Sequence, residues 1–143
     1  METGRWSDVS TPLAERMAEI IPTILVDSVI MIDHFNGISA ATQYLLEMQG
    51  QLAISVITRA EVLTGFEGKE RQLARRLLDR FPTLIIDRGI ADLAATLRRQ
   101  NRWKMPDALQ AAVAKNHKLK FATRDTDDFP PQRYRFVTVP YTI

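Results

Sequence analysis

The chain of 143 residues contains no cysteine. Disulfides and thiolate metal sites are therefore excluded, and a reducing, cytoplasmic location is expected. No apolar run is long enough to cross a bilayer, and no signal-peptide pattern of basic, apolar and small residues is present, so no membrane partner is expected. Histidine is scarce: only His34 and His117 occur. Both fall on helix surfaces or helix ends, so neither is assigned acid–base work. Without a Ser–His or Cys–His arrangement the nucleophile of any hydrolysis would be water. A large excess of either charge is also missing, since 19 basic residues face 17 acids for a net charge of +2. What remains, 45% hydrophobic and 25% charged, is the composition of a globular protein of one-domain length.

The organising stretch is Ile24-Leu25-Val26, an aliphatic run with nothing polar inside it, which predicts a strand buried on both faces. Asp27 ends it, and Ser28 is expected to cap the helix that follows, Val29 to Phe35. Before it, Thr11 and Pro12 mark a helix start, and Leu13, Met17, Ile20 and Ile21 repeat at helical spacing up to Pro22. That helix either packs on the domain or forms an arm for a partner or a second copy. After Phe35 come a helix from Ser39 ending near Gly50, a strand at Leu52–Ile54 closed by Ser55, a helix opened by Thr58 and ended by Gly65, and a helix over 69–80. Leu84-Ile85-Ile86 predicts a third strand. Asp87 caps a helix with Ile90, Leu93, Ala94 and Leu97 on one face. Pro106-Asp107 opens another helix, residues 119–122 predict a fourth strand, and residues 136–139 a fifth at an edge. Strands alternating with helices predict an α/β fold, a parallel sheet of four to five strands with helices on both faces. Residues 1–22 read as an N-terminal extension and 23–143 as the domain.

Four acids stand at the ends of these elements. Asp27 ends strand one, Glu61 lies one turn into the helix after strand two, Asp107 starts the helix leading to strand four, and Asp125 ends strand four. Each alone has a structural explanation. Thr58 and Glu61 fit a capping box, Asp107 suits a helix N-terminus, and Asp125 can cap the turn to Asp128. Together they mean more, because the strand ends of a parallel sheet converge on one edge. Four carboxylates about 5 Å apart would repel by ~3 kcal/mol per pair at an effective dielectric near ~20. Either some are protonated or a cation joins them. Oxygen ligands without sulfur or imidazole point to a hard ion, Mg²⁺ or Mn²⁺. The chemistry such sites commonly perform is phosphodiester hydrolysis.

The motifs Val26-Asp27-Ser28 through Asp33, Ile54-Ser55 through Leu63, Pro106-Asp107-Ala108, and Phe121 through Phe129 closely resemble, in order and spacing, the PIN-domain ribonucleases, the nearest subgroup being the VapC toxins of bacterial toxin–antitoxin pairs. The resemblance runs from about Thr23 to the C-terminus. It implies a three-layer α/β/α sandwich, a metal-dependent endoribonuclease, catalytic and metal-ligating acids at Asp27, Glu61, Asp107 and Asp125, polar support from Ser28 and Thr123, a homodimer and a cognate antitoxin. Two departures stand out. Val29 replaces the usual Asn or Ser, which implies a weakened site or, at the limit, an inactive PIN-fold binding module. The extension 1–22 is extra. A phosphoacceptor receiver domain, which also gathers acids at strand ends, is disfavoured because Thr123 stands where that design needs a lysine.

Asp33 and Asp128 are left outside the catalytic set, the first as a structural hydrogen-bonder, the second as either an extension of the site or a cap of its turn. With the four site acids set aside, 19 basic residues face 13 acids, so the remaining surface is basic. Arg98, Arg99, Arg102 and Lys104 surround Trp103 just before Asp107. Arg102 and Lys104 are candidate contacts for RNA phosphates with Trp103 stacking a base; a solvated helix end with Trp103 packed inward is the other reading. Arg71, Arg75 and Arg76 form a second basic face.

Overall fold

The computed structural model describes residues 21–143. Among them lie five strands, β1 (Ile24–Val26), β2 (Leu52–Ser55), β3 (Thr83–Leu84), β4 (Lys120–Ala122) and β5 (Val137–Thr138). Six helices connect them: α1 (Ser28–Phe35), α2 (Ser39–Glu47), α3 (Val56–Thr64), α4 (Gly68–Leu78), α5 (Arg88–Asn101) and α6 (Met105–Asn116). The helix expected from Thr11 onward lies outside the described residues except for Ile21. Among the described residues no helix is long and apolar enough to cross a membrane.

The strands form one sheet in the order β3-β2-β1-β4-β5, and all four pairings are parallel. β1 is central, with Leu25 paired to Ala53 on one side and Phe121 on the other. Alternation along the strands divides the core in two. Leu25, Ala53 and Phe121 pack with Ile90, Ala94, Leu97 and the buried alanines of α6. Val26, Leu52 and Ile54 pack with Ile30, Met31, Leu45, Val62, Ala74 and Leu78 from α1 to α4. The fold is thus the expected three-layer α/β/α sandwich, and the aliphatic run of β1 is buried because both faces are covered.

The chain moves outward from β1 to β2 and β3, then returns to the other side of β1 to lay down β4 and β5. Right-handed crossovers require the first two connections on one face and the third, through α5 and α6, on the other. The order therefore reverses between β1 and β4. A crevice opens at the carboxyl ends of strands on either side of such a reversal.

Several local expectations shift. Asp27, not Ser28, is the N-cap of α1, and its carboxylate accepts from the Ser28 amide. The helix after β2 begins at Val56, not Thr58. Its cap is Ser55, whose hydroxyl accepts from the amides of Ile57 and Thr58. Thr58 is buried inside the helix, so the Thr58–Glu61 capping box does not form. The third strand is Thr83–Leu84 rather than Leu84–Ile86. Ile85 is 68% exposed; a two-residue edge strand lets the chain leave the sheet before it. Asp87 caps α5 as expected, accepting from the Ile90 amide at 2.9 Å.

Candidate active site

Asp27 and Asp125 follow the two strands that flank the reversal, so the topology delivers both to the crevice. Asp27 Oδ1 accepts from the Ser28 amide at 2.8 Å, and Asp27 Oδ2 accepts from the Thr123 hydroxyl at 2.7 Å. The buried Thr123 hydroxyl oxygen in turn accepts from the Asp125 amide at 3.0 Å. One threonine thus ties the acid after β1 to the acid after β4. Glu61, on the exposed side of α3, accepts from the Ser28 hydroxyl. Asp107, half-buried in the first turn of α6, closes the far wall. Asp27, Ser28, Val29, Glu61, Asp107 and Asp125 line one notch of about 470 Å³.

All four predicted acids therefore share one notch, but the tightest trio is not among those four alone. Carboxylate oxygens of Asp107, Asp125 and Asp128 lie within 4.8 Å of one another. Asp128, read from the sequence as either an extension of the site or a turn cap, thus stands beside Asp107 and Asp125. The short turn after β4, closed by the Asp128 amide donating to Asp125 Oδ1 at 3.2 Å, folds Asp128 back toward α6. Three oxygens from separate positions, with no sulfur or imidazole, form a donor set suited to a hard divalent cation.

Charge crowding shows in the acidities. Burial, partly offset by the Thr123 and Ser28 hydrogen bonds and reinforced by Glu61 and Asp125, pushes Asp27 up to about 6. Burial, then the nearby Asp128, Asp27 and Asp125, pushes Asp107 up to about 7. Asp128 is also raised, first by burial and then by Asp125, while Lys104 pulls it down.

Beneath the notch runs a buried polar bracket that sequence reasoning missed. The Ser55 hydroxyl donates to Gln110 Oε1 at 2.6 Å, Gln110 Nε2 donates to the Thr58 hydroxyl at 2.7 Å, and that hydroxyl donates to the Val26 carbonyl at 3.3 Å. Thr58 precedes Glu61 by three residues and Gln110 follows Asp107 by three, nearly one helical turn in each case. The bracket therefore fixes α3 to α6 directly under the two helix-borne acids. A glutamine amid the alanines of α6 was the available signal. Gln110→Leu keeps the volume but leaves the buried Ser55 hydroxyl without an acceptor and Thr58 without the donor from Gln110, so unfolding by urea should show a loss of about 1–3 kcal/mol; an unchanged midpoint would contradict the bracket.

Asp33 is the structural hydrogen-bonder expected. Its buried carboxylate takes a two-pronged contact from Arg124, at 2.6 and 2.8 Å, and a hydrogen bond from the Tyr141 hydroxyl at 2.8 Å. The Arg124 hydrogen bonds, opposed by burial, hold Asp33 below the ordinary carboxylate range. His34 pairs with the Thr42 hydroxyl at 2.7 Å and His117 ends α6, both away from the notch. Trp103 does not stack a base. It is 4% exposed, its indole donates to the Asp128 carbonyl at 2.9 Å, and it packs on Phe129 and Tyr134. The inward reading holds because an indole needs a partner for its N–H when buried. Arg102 and Lys104 remain exposed on either side of it, the first closing α5 and the second preceding α6.

Comparison with known proteins agrees with this geometry. The sequence profile of the PIN domain matches residues 24–132. Ribonuclease VapC10 of Mycobacterium tuberculosis is 39% identical over 114 residues, covering 75% of this chain and 86% of the relative. Among solved structures, a toxin–antitoxin complex from Klebsiella pneumoniae superposes with a TM-score of 0.78 at 37% identity, covering 84% of this chain and 99% of that one. FitAcB from Neisseria gonorrhoeae superposes with a TM-score of 0.69 at 24% identity, over 84% and 99% of the two chains, a likeness of fold. With its acids gathered at the β1–β4 reversal and these relatives in hand, the chain belongs to the PIN-domain family, in the company of the VapC ribonucleases.

Proposed function

We propose that this protein is a divalent-cation-dependent endoribonuclease toxin of the VapC type. The observation that carries the reading is the convergence of Asp27, Glu61, Asp107 and Asp125 on one notch, with Asp128 beside Asp107 and Asp125, in a chain 39% identical to Ribonuclease VapC10. Asp27 and Asp107 are the principal ligands of the cation, with Asp125, Asp128 and Glu61 completing the set or orienting the attacking water. A bound Mg²⁺ or Mn²⁺ supplies Lewis acidity to the phosphoryl oxygen and lowers the pKa of water.

The remaining groups hold this arrangement in register. Thr123 fixes the orientation of the Asp27 carboxylate, and Ser28 that of Glu61. Lys104, close enough to Asp128 to lower its pKa, and Arg102, exposed on the other side of Trp103, receive backbone phosphates in this reading. Val29 presents hydrocarbon at the wall where the family pattern carries Asn or Ser, so turnover slower than in relatives with the polar residue is expected. Residues 23–143 form the catalytic unit and residues 1–22 an N-terminal extension. By analogy with the toxin–antitoxin complex it resembles, the chain acts as a homodimer held in check by a cognate antitoxin over the notch. Incubating the purified protein with total RNA and mapping the new ends tests the activity: internal cuts appear with Mg²⁺ and vanish in EDTA. Equal cleavage in EDTA contradicts the reading.

A further inference from the structure

A second charged feature lies at the opposite edge of the sheet. Lys115, Lys118, Lys120 and Arg135 line an open cleft of about 720 Å³ with Thr23, Leu119 and Phe136, and no carboxylate is among its walls. It sits at the amino end of β4 and the carboxyl end of α6, whereas the notch sits at the other end of both. Asp107 and Lys115 are eight residues apart on α6, about 12 Å along its axis.

Beneath the surface between the two sites runs a row of packed aromatic rings. From the Asp128 side, Trp103 packs on Tyr134 with ring centroids 5.1 Å apart, and Tyr134 packs on Phe136 at 6.2 Å. Cations lie along this aromatic row. Arg133 stands 5.4 Å from the centre of the Tyr134 ring, and Lys115 stands 4.3 Å over Phe136. Arg102 and Lys104 border its beginning. Arg102 and Lys118 also hold left-handed backbone, at φ 59° and 56°. A β-carbon is strained there and glycine is the usual occupant. Favourable contact with a helix C-terminus would explain a cation near each position. It does not explain four cations facing one cleft without a counter-charge.

We propose that this cleft is a second RNA-binding site, taking the phosphate backbone of a substrate whose scissile bond lies in the notch, with the row from Arg102 to Arg135 as the path between them. This rests on the ribonuclease reading for its substrate. Charge supports it: spaced cations favour a polyanion, and the half-buried Phe136 in the cleft wall gives a base of an extended strand an aromatic contact.

The test compares two RNAs and one triple variant, Lys115→Gln, Lys118→Gln and Arg135→Gln, none of which touches the notch. A dinucleotide RNA, with a single phosphodiester and stacked at about 3.4 Å per residue, spans ~7 Å and stays within reach of the notch alone. A transcript of about 60 nucleotides reaches both sites. The variant should cleave the short RNA at the wild-type rate and show a KM for the long RNA raised about tenfold or more at 0.15 M salt. The slope of log affinity against log salt for the long RNA should flatten by about 2, as for three lost single-strand contacts. Replacing Lys115 and Lys118 by Arg, and Arg135 by Lys, should restore both values. Unchanged long-RNA KM and slope, or equal losses on both RNAs, would overturn the proposal. If the wild type cuts neither RNA, the same slope measured by binding still decides it, and only the nuclease reading fails.

Discussion

Asp27→Asn should lower RNA cleavage by more than about 10²-fold while making the cation-free protein more stable. The loss follows from position. Among the four predicted site acids, Asp27 has hydrogen bonds to both carboxylate oxygens, from the Ser28 amide and the Thr123 hydroxyl, so its carboxylate is oriented before any cation arrives. Substitution of residues that merely support metal ligands typically costs 10–100-fold, and removing a ligand should exceed that. The gain follows from electrostatics. Holding Asp27 at about 6 against an ordinary 3.8 means that its charge opposes folding at pH 8 by about 2–3 kcal/mol. Asparagine has nearly the same shape, accepts from the Ser28 amide and can donate toward Thr123, so the scaffold is kept. Urea unfolding in EDTA at pH 8 should show the variant ahead by about 2 kcal/mol, and the difference should vanish near pH 4. A variant that is both inactive and less stable would recast Asp27 as a structural cap.

The wild-type protein in EDTA should lose stability as the pH rises from 4.5 to 8. Asp27 and Asp107 are both raised in the folded state, to about 6 and about 7. Each therefore binds its proton more tightly folded than unfolded. The stability this confers is fully present below 3.8 and is lost as pH climbs through the folded values. Asp107 is half-exposed, so solvent screening trims its share, and the two together should amount to about 4 kcal/mol. Asp33 works in the opposite sense but in another window. Its value is lowered, so its contribution is complete above 3.8 and disappears only at more acidic pH. Saturating Mg²⁺ or Mn²⁺ should recover the loss at pH 8, by about 2.7 kcal/mol at a hundred times Kd, and do little at pH 4.5. Thermal midpoints across that range with and without EDTA provide the check. A flat or rising profile in EDTA would mean that burial and the neighbouring acids do not raise Asp27 and Asp107.

Much of the site was legible because it depends on topology. An aliphatic run closed by an acid, repeated along a βα chain, places carboxylates at the carboxyl edge of a parallel sheet before any side chain is positioned. That logic located Asp27, Glu61, Asp107 and Asp125. It left open whether Asp128 extends the site or only caps its turn, because whether a turn folds back or splays outward depends on where Trp103 anchors it, and that contact joins residues 25 apart. The Ser55–Gln110–Thr58 bracket was hidden for the same reason, since its members meet only after α3 and α6 are packed. The caps were displaced by a residue or more where two polar residues compete at one boundary. Asp27 prevailed over Ser28, and Ser55 over Thr58, because in each pair the first ends its strand in extended backbone while the second is already helical. Trp103 beside four cations carried two readings that composition alone cannot separate, and burial against Phe129 and Tyr134 decides between them.

Titration of the protein with Mn²⁺ by calorimetry, wild type beside Asp107→Asn, tests most directly whether the five carboxylates act as one cation site. The account predicts saturable binding at pH 7.5 for the wild type, accompanied by proton release from the raised acids, and at least about tenfold weaker binding for the variant. Equal affinities for the two proteins, or no saturable binding by the wild type, would contradict it.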